Sequence, residues 1–438
     1  MMLGAIGIAI GGLRFDLLLK SKAIDPMPWL GGMGAEAARK ILTTTASTMI
    51  TVASIVFSIT IVALQLASSQ FGPRLLRNFM IDRGTQIVFG TFTGSFVYCL
   101  LILATIRTSP KGFVPVISVW FGLLLGVVGI GVLIYFIHHI AQAIRVEHVV
   151  ENVAAECETS LNRLFPEQIG DDLADEPEQR LPADFAWHGR PIRATCSGYI
   201  RLIDAESLMN LAHTHDLVVQ LERRPGDFVC SGTVFVRAYP ADRVNDDVAR
   251  AIAAVFAVGI DRTPTQDADF SMRQLLQIAL RALSPGINDP FTATECINRL
   301  TQVLRHAARR GRPSRYRFDT SGILRVVSPR DALLPLAVSA LDPIARAGGD
   351  NGDIICLLLD AVKAIASDAV YEDDRDGLFA FARAIKEESE GRLARNRDKE
   401  QVERVYASLR CLDTAFFGLA DRLQNPLRDQ KWLKRQKS

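Results

Sequence analysis

The sequence lacks the short motifs that mark most nucleotide-binding and hydrolytic enzymes. No P-loop, no GxGxxG turn and no Ser-His-Asp order occurs in its 438 residues, so nothing points to a phosphate cradle or a nucleophilic triad. No CxxC is present, and the seven cysteines (Cys99, Cys157, Cys196, Cys230, Cys296, Cys356 and Cys411) are odd in number and scattered. That pattern excludes a zinc ribbon or a disulfide framework. It reads instead as reduced thiols, most of them buried, in a reducing compartment. A concentrated basic face is missing too: 50 Lys and Arg stand against 48 acids, so the chain is no nucleic-acid binder. No fixed-period repeat is visible, and the start has no basic region of the kind that opens a secretory signal.

The most informative absence is charge. None occurs in Ile41–Pro73, in Gly84–Ile106 or in "FVPVISVWFGLLLGVVGIGVLIYFIHHI" from Phe113 to Ile140. Each stretch exceeds the roughly 20 helical residues that cross about 30 Å of hydrocarbon. The opening "MMLGAIGIAIGGL" is apolar for only 13 residues before Arg14, and reads as the inner half of a further span. Up to Ile144 ten basic residues face four acids, whereas the remainder holds 40 and 44. The reading is therefore an α-helical membrane bundle followed by a soluble α+β region. We place the membrane part at 1–144 and a helical extension and linker at 145–182. A small β module at 183–242 and a mainly helical domain at 243–438 follow.

Inside the β module, "DLVVQLERRPGDFVCSGTVFVRAYP" alternates short apolar runs around Pro225-Gly226, a turn signal. The strand order is similar to biotinyl/lipoyl-type half-barrels, without the modifiable Lys at the hairpin tip. Helical patterns then cover Asp246–Val258, Ser271–Leu283, Ala293–Ala308, Arg330–Ala347 and Asp353–Ala369, with two more at the C-terminus. "RYRFDTSGILRVVSP" interrupts them as a strand-like insert.

Three stretches carry a resemblance: "SMITVASIVFSITIVALQLASSQFGPRLLRNFMIDRGTQIVFGTF", "LIYFIHHI" and "LSPGINDPFTA". Together they resemble a widespread bacterial family of predicted integral membrane proteins catalogued as a domain of unknown function. The resemblance implies a membrane protein, with one more complete span at the start than is legible here. It implies no reaction, substrate or cofactor.

Candidate functional residues follow from the side chains. The first uncharged stretch holds thirteen Ser, Thr and Gln among its 33 residues. Thr44, Thr51, Ser58 and Gln65 fall on one heptad position, and Ser47, Ser54, Ile61 and Ser68 on the other, a spacing that puts them on one helix face. Such a seam either lets helices approach closely or lines a water-filled path when several copies surround an axis. Gln65 favours the path, because a primary amide facing lipid is costly.

Arg74, Arg77 and Arg83, interleaved with Leu75, Leu76, Phe79 and Met80, suit a segment in the headgroup layer. The functional alternative is an anionic-lipid site or a vestibule ring. Ser284, Gly286, Asn288, Asp289 and Thr292 sit where one helix ends and the next begins. They are read either as a cap or as a turn that grips a small polar ligand. Tyr135, His138 and His139 suit a bilayer interface; His213 and His215 suit a loop at a helix end. Neither histidine pair has a third ligand in view.

The sequence thus supports a homo-oligomeric channel or channel-like transport protein, set against a membrane-anchored scaffold. It calls for no enzyme chemistry, cofactor or metal, and leaves the ion or small ligand unnamed. The expected setting is a bacterial inner membrane, with lipid as a partner and the soluble region facing the cytoplasm.

Overall fold

The computed structural model describes residues 2–21, 34–71, 82–106, 113–164, 189–310, 314–329 and 332–424. It divides into two compact units, Met1–Val149 and Val150–Ser438.

In the first unit, α1 (Met2–Ser21), α2 (Ala35–Phe71), α3 (Arg83–Thr105) and α4 (Val116–Ala143) pack together. The last three are long and apolar enough to cross a membrane, as their uncharged stretches predict. α2 ends at Phe71, shortly before Pro73 in the sequence, a residue type that has no N–H to continue a helical ladder. Small residues set the helix approach: a Cβ on Gly122 would meet Leu42 at 2.8 Å, and one on Gly129 would meet Met49 at 2.9 Å. α2 contributes Leu42, Ala46, Met49, Ala53 and Val56 to the two apolar clusters of the bundle, against Tyr98, Cys99 and Ile102 in one and Val88, Phe92 and Phe136 in the other.

α1 does not stop at Arg14. It continues to Ser21, and Asp16 on it is 7% exposed. The reason is local chemistry. α4 begins after Pro115 with no capping side chain of its own, and the Asp16 carboxylate accepts from the Ile117 and Ser118 amides at 3.2 and 3.1 Å and from the Ser118 hydroxyl at 2.6 Å. Those amides would otherwise be orphans at a helix start.

The second unit opens with most of α5 (Val146–Leu164) and then builds two sheets. β1 (Arg190–Arg193), β5 (Val234–Tyr239), β3 (Val218–Leu221), β8 (Leu324–Val327) and β7 (Tyr316–Phe318) form a mixed sheet in that order. β4 (Phe228–Val229), β2 (Gly198–Ile203) and β6 (Phe256–Gly259) form a smaller antiparallel one. The strand-like insert is therefore a hairpin that completes the larger sheet, β8 lying parallel to β3 with Val219 opposite Val326. Two short helices, α6 (Ala205–Thr214) and α7 (Asp246–Ala254), pack against each other.

The helix expected over Asp246–Val258 is shorter than its periodicity suggested. α7 ends at Ala254, and Phe256–Gly259 pairs with β2 instead. Val255, Phe256 and Val258 favour an extended backbone when a partner strand is available.

The remaining helices are α8 (Ala268–Ala282), α9 (Pro290–Ala308), α10 (Leu333–Ala347), α11 (Gly352–Asp368), α12 (Glu372–Glu390) and α13 (Asn396–Gln424). α11 is central, packed by α9, α12 and α13. Its Ile354, Leu358, Leu359, Val362 and Ile365 are all at most 1% exposed, and each contributes roughly 1.5–3 kcal/mol on burial.

Candidate functional site

The seam on α2 faces away from its own bundle. Thr44, Ser47, Thr51, Ser54, Ser58 and Gln65 are exposed and Ser68 is half-buried, while Leu42, Ala46, Met49, Ala53, Val56, Ala63 and Ala67 on the opposite side are buried. Large apolar side chains flank the seam on both edges. Ile50 and Phe57 lie along one, and Ile55, Val62 and Leu66 along the other, all exposed, while the exposed Ile61 interrupts the seam itself. Close packing within the unit therefore uses the alanines, the α4 glycines and Thr45, which is buried off the seam; the seam hydroxyls play no part in it.

Three of the seam hydroxyls satisfy themselves within the helix. Thr51 donates to the Ser47 carbonyl at 2.8 Å, Ser54 to Ile50 at 2.9 Å and Ser58 to Ser54 at 3.0 Å. Thr48 and Thr60, off the seam, do the same toward Thr44 and Val56. A hydroxyl bonded back in this way keeps its oxygen as an acceptor toward the outside. Chemically, the Thr51–Ser58 part of the seam presents acceptors between apolar walls, with the Gln65 amide beyond Ile61.

Of the three interfacial arginines, Arg83 is the exposed first residue of α3, while Arg74 and Arg77 lie outside the described residues. Asp82 beside it caps α3, accepting from the Thr85 amide at 2.8 Å. The same carboxylate bonds His139 Nε2 at 2.8 Å, and Tyr135 stacks on that imidazole. Gly84 is required there, since a Cβ would meet the ring at 2.6 Å. His138 turns instead to Gln142, so the two adjacent histidines diverge. Among the described residues, no group of three or more His, Cys, Asp or Glu could hold a metal. His213 bonds Asp319, and Arg325, 4% exposed on β8, joins Asp319 at 2.8 Å to Asp216 at 2.7 Å.

The turn at 284–292 is a helix junction whose polar groups face one another. Ser284 Oγ donates to the Arg281 carbonyl at 2.6 Å, and the Ser284 carbonyl accepts from the Ile287 and Asn288 amides. Asn288 takes a left-handed φ of 49°, which Asn tolerates better than most residues. Asp289 caps α9, accepting from the Phe291 and Thr292 amides and the Thr292 hydroxyl. The hydroxyl and these amides hold its carboxyl below the ordinary carboxylate range. Gly286 faces open space. Asp289 and Thr292 are thus engaged by the cap that the first reading described.

Two features escaped sequence reasoning. Asp16 stood alone among apolar neighbours, and its partners are a hundred residues on. The Asp82–His139 bond likewise joins two helices that periodicity treats separately. In each, the only signal was a single ionisable residue at the edge of an apolar run.

Comparison with known proteins decides the family. Residues 1–364 match the family described as "Predicted membrane protein (DUF2254)". The chain belongs to this family. Uncharacterised proteins of Mycobacterium bovis and Mycobacterium tuberculosis are each 33% identical to it over 374 residues, covering 84% of this chain and 70% of theirs. No solved structure matches the chain. The family description and the three apolar helices agree: this is a membrane protein with three candidate spans among the described residues.

Proposed function

We propose that the protein is a homo-oligomeric channel or channel-like transport protein in which α2 lines the path. The observation that carries this is the placement of the seam. A lipid-facing helix has no use for six exposed polar side chains in register, and its own bundle leaves them uncovered. Copies arranged about an axis would bring the seams together, with Ile50, Phe57, Ile55 and Leu66 sealing neighbour against neighbour. Because the Thr51, Ser54 and Ser58 hydrogens bond inward, the middle of the path would present acceptor oxygens, which favours cations over anions at that level. The soluble unit then serves assembly or sensing, in an inner membrane with that unit in the cytoplasm. The chain performs no enzymatic step in this reading.

The test is Ser58→Leu in reconstituted protein. A dry ring at that level closes a path by dewetting and leaves the buried face of α2 intact. Flux should vanish and the oligomer mass should persist. If the seam instead packs copies into a scaffold, leucine weakens the oligomer and the wild type has no flux to lose. A wild type that passes no ion under any voltage, ligand or tension sinks the channel reading.

A further inference from the structure

A cavity of about 410 Å³ opens in the second unit, between the Arg224–Asp227 turn that links the two sheets, the start of α8 and one side of α10. That volume is in the range of small-molecule sites, roughly 300–1,000 Å³. Its floor is a built ion network. Arg262 bonds Asp267 through Nε and Nη2 at 2.7 and 2.8 Å, and reaches Asp269 at 3.1 Å. Asp269 also accepts from Arg273 Nε at 2.6 Å. Asp267 is 5% exposed and caps α8 through the Phe270 amide. The turn crosses this network at Gly226, whose φ is 94° and whose Cβ, if present, would run into the Asp267 carboxylate. Only glycine lets the turn close over the pair.

The bonding of the network is asymmetric. Asp267 accepts from Arg262 on both oxygens. Asp269 accepts on one oxygen from two guanidinium groups and on the other from Ser339. The arginines keep donors in reserve: among the described residues, Arg262 Nη1 and both Nη groups of Arg273 meet no protein acceptor. Guanidinium N–H groups in this forked arrangement match carboxylate and phosphate oxygens. Across the cavity, Pro335 and Leu336 supply an apolar wall.

We infer that this cavity is a binding site for a small organic anion. A carboxylate or phosphate group meets Arg262 and Arg273, and an apolar body rests on Pro335 and Leu336. The inference is independent of the transport reading, since binding here needs no conducting path. It also places a ligand of the soluble unit away from the 284–292 turn, whose acceptors are engaged by its own cap.

Full-length protein in detergent, titrated with benzoate and with phenyl phosphate at constant ionic strength, tests the site calorimetrically. One or both probes should bind saturably at millimolar concentration, and which of them binds tells carboxylate from phosphate. Arg273→Ala should weaken binding at least tenfold. Leu336→Trp, which fills the cavity and leaves the ion network in place, should do the same. Arg250→Ala, on an exposed face of α7, should bind as the parent does. Failure of both probes to saturate would falsify the inference, and so would unchanged binding in the Arg273 and Leu336 variants when both melt as the parent does. If one variant unfolds, the other decides by the same criterion.

Discussion

Asp289 shows how far one side chain can be read from its neighbours. Its three acceptor contacts all go to the first turn of α9, so Asp289→Ala should cost about 1 kcal/mol of stability. Asp289→Ser should recover most of that, and membrane activity should not change in either; chemical unfolding of the purified protein measures it. Asp319 makes a different prediction, about pH. The Arg325 guanidinium, then the Ile323 amide and His213, hold its carboxyl well below the usual carboxylate range. Asp216 is lowered chiefly by Arg325 and Arg243. A depressed folded-state pKa contributes stability that is complete above the unfolded value, about 4, and is lost as pH falls from there toward the folded value. The melting temperature should therefore drop on acidification below about pH 4. Asp319→Asn should melt lower at pH 7 and show a shallower acid limb; an unchanged acid limb would discard this network as its source.

Helices in this protein are held by what other elements lend them. α4 takes its cap from Asp16 on α1, in surroundings where unpaired amides find no water. Asp16→Ala should therefore cost on the order of 1–3 kcal/mol, the range for an unsatisfied buried group, and Asp16→Asn less; thermal unfolding in detergent checks the order. The contact between α2 and α4 depends on small residues. Gly122→Val drives side-chain atoms into Leu42, with Cys99 and Tyr98 close behind, and overpacking of this kind costs typically about 1–3 kcal/mol. A Cβ at Gly131 meets nothing within 4 Å, so Gly131→Val should melt like the parent. Equal effects at the two positions would contradict this packing.

At the scale of the whole molecule, the open question is which way the chain sits in its membrane. Six of seven cysteines lie beyond residue 144 and all seven are free, three of them exposed. Exposed free thiols persist where the compartment is reducing, so the second unit should face the cytoplasm. The basic residues around the spans argue the other way, with five in 14–40 against three in 74–83. Protease added outside right-side-out vesicles should leave the second unit intact. Digestion from that side would reverse the orientation and the thiol argument with it.

What the sequence determined by itself is whatever a local rule governs. Uncharged runs longer than a bilayer's thickness are legible because hydropathy sums along the chain. The 284–292 junction is legible because a cap is made by residues three apart. Heptad arithmetic likewise put Thr44, Thr51, Ser58 and Gln65 on one face of α2. Periodicity says which residues share a face and is silent on what that face meets. The tertiary structure alone decided that the alanines with Leu42, Met49 and Val56, and not the seam hydroxyls, pack α2 against its bundle. It also turned Phe256–Gly259 into a strand, because β2 offers hydrogen bonds that no helix pattern can anticipate. Asp16 joined α4 and Arg325 joined Asp216 across about a hundred residues of chain. A charge leaves water only where a partner waits, and which partner waits is settled by how the elements pack.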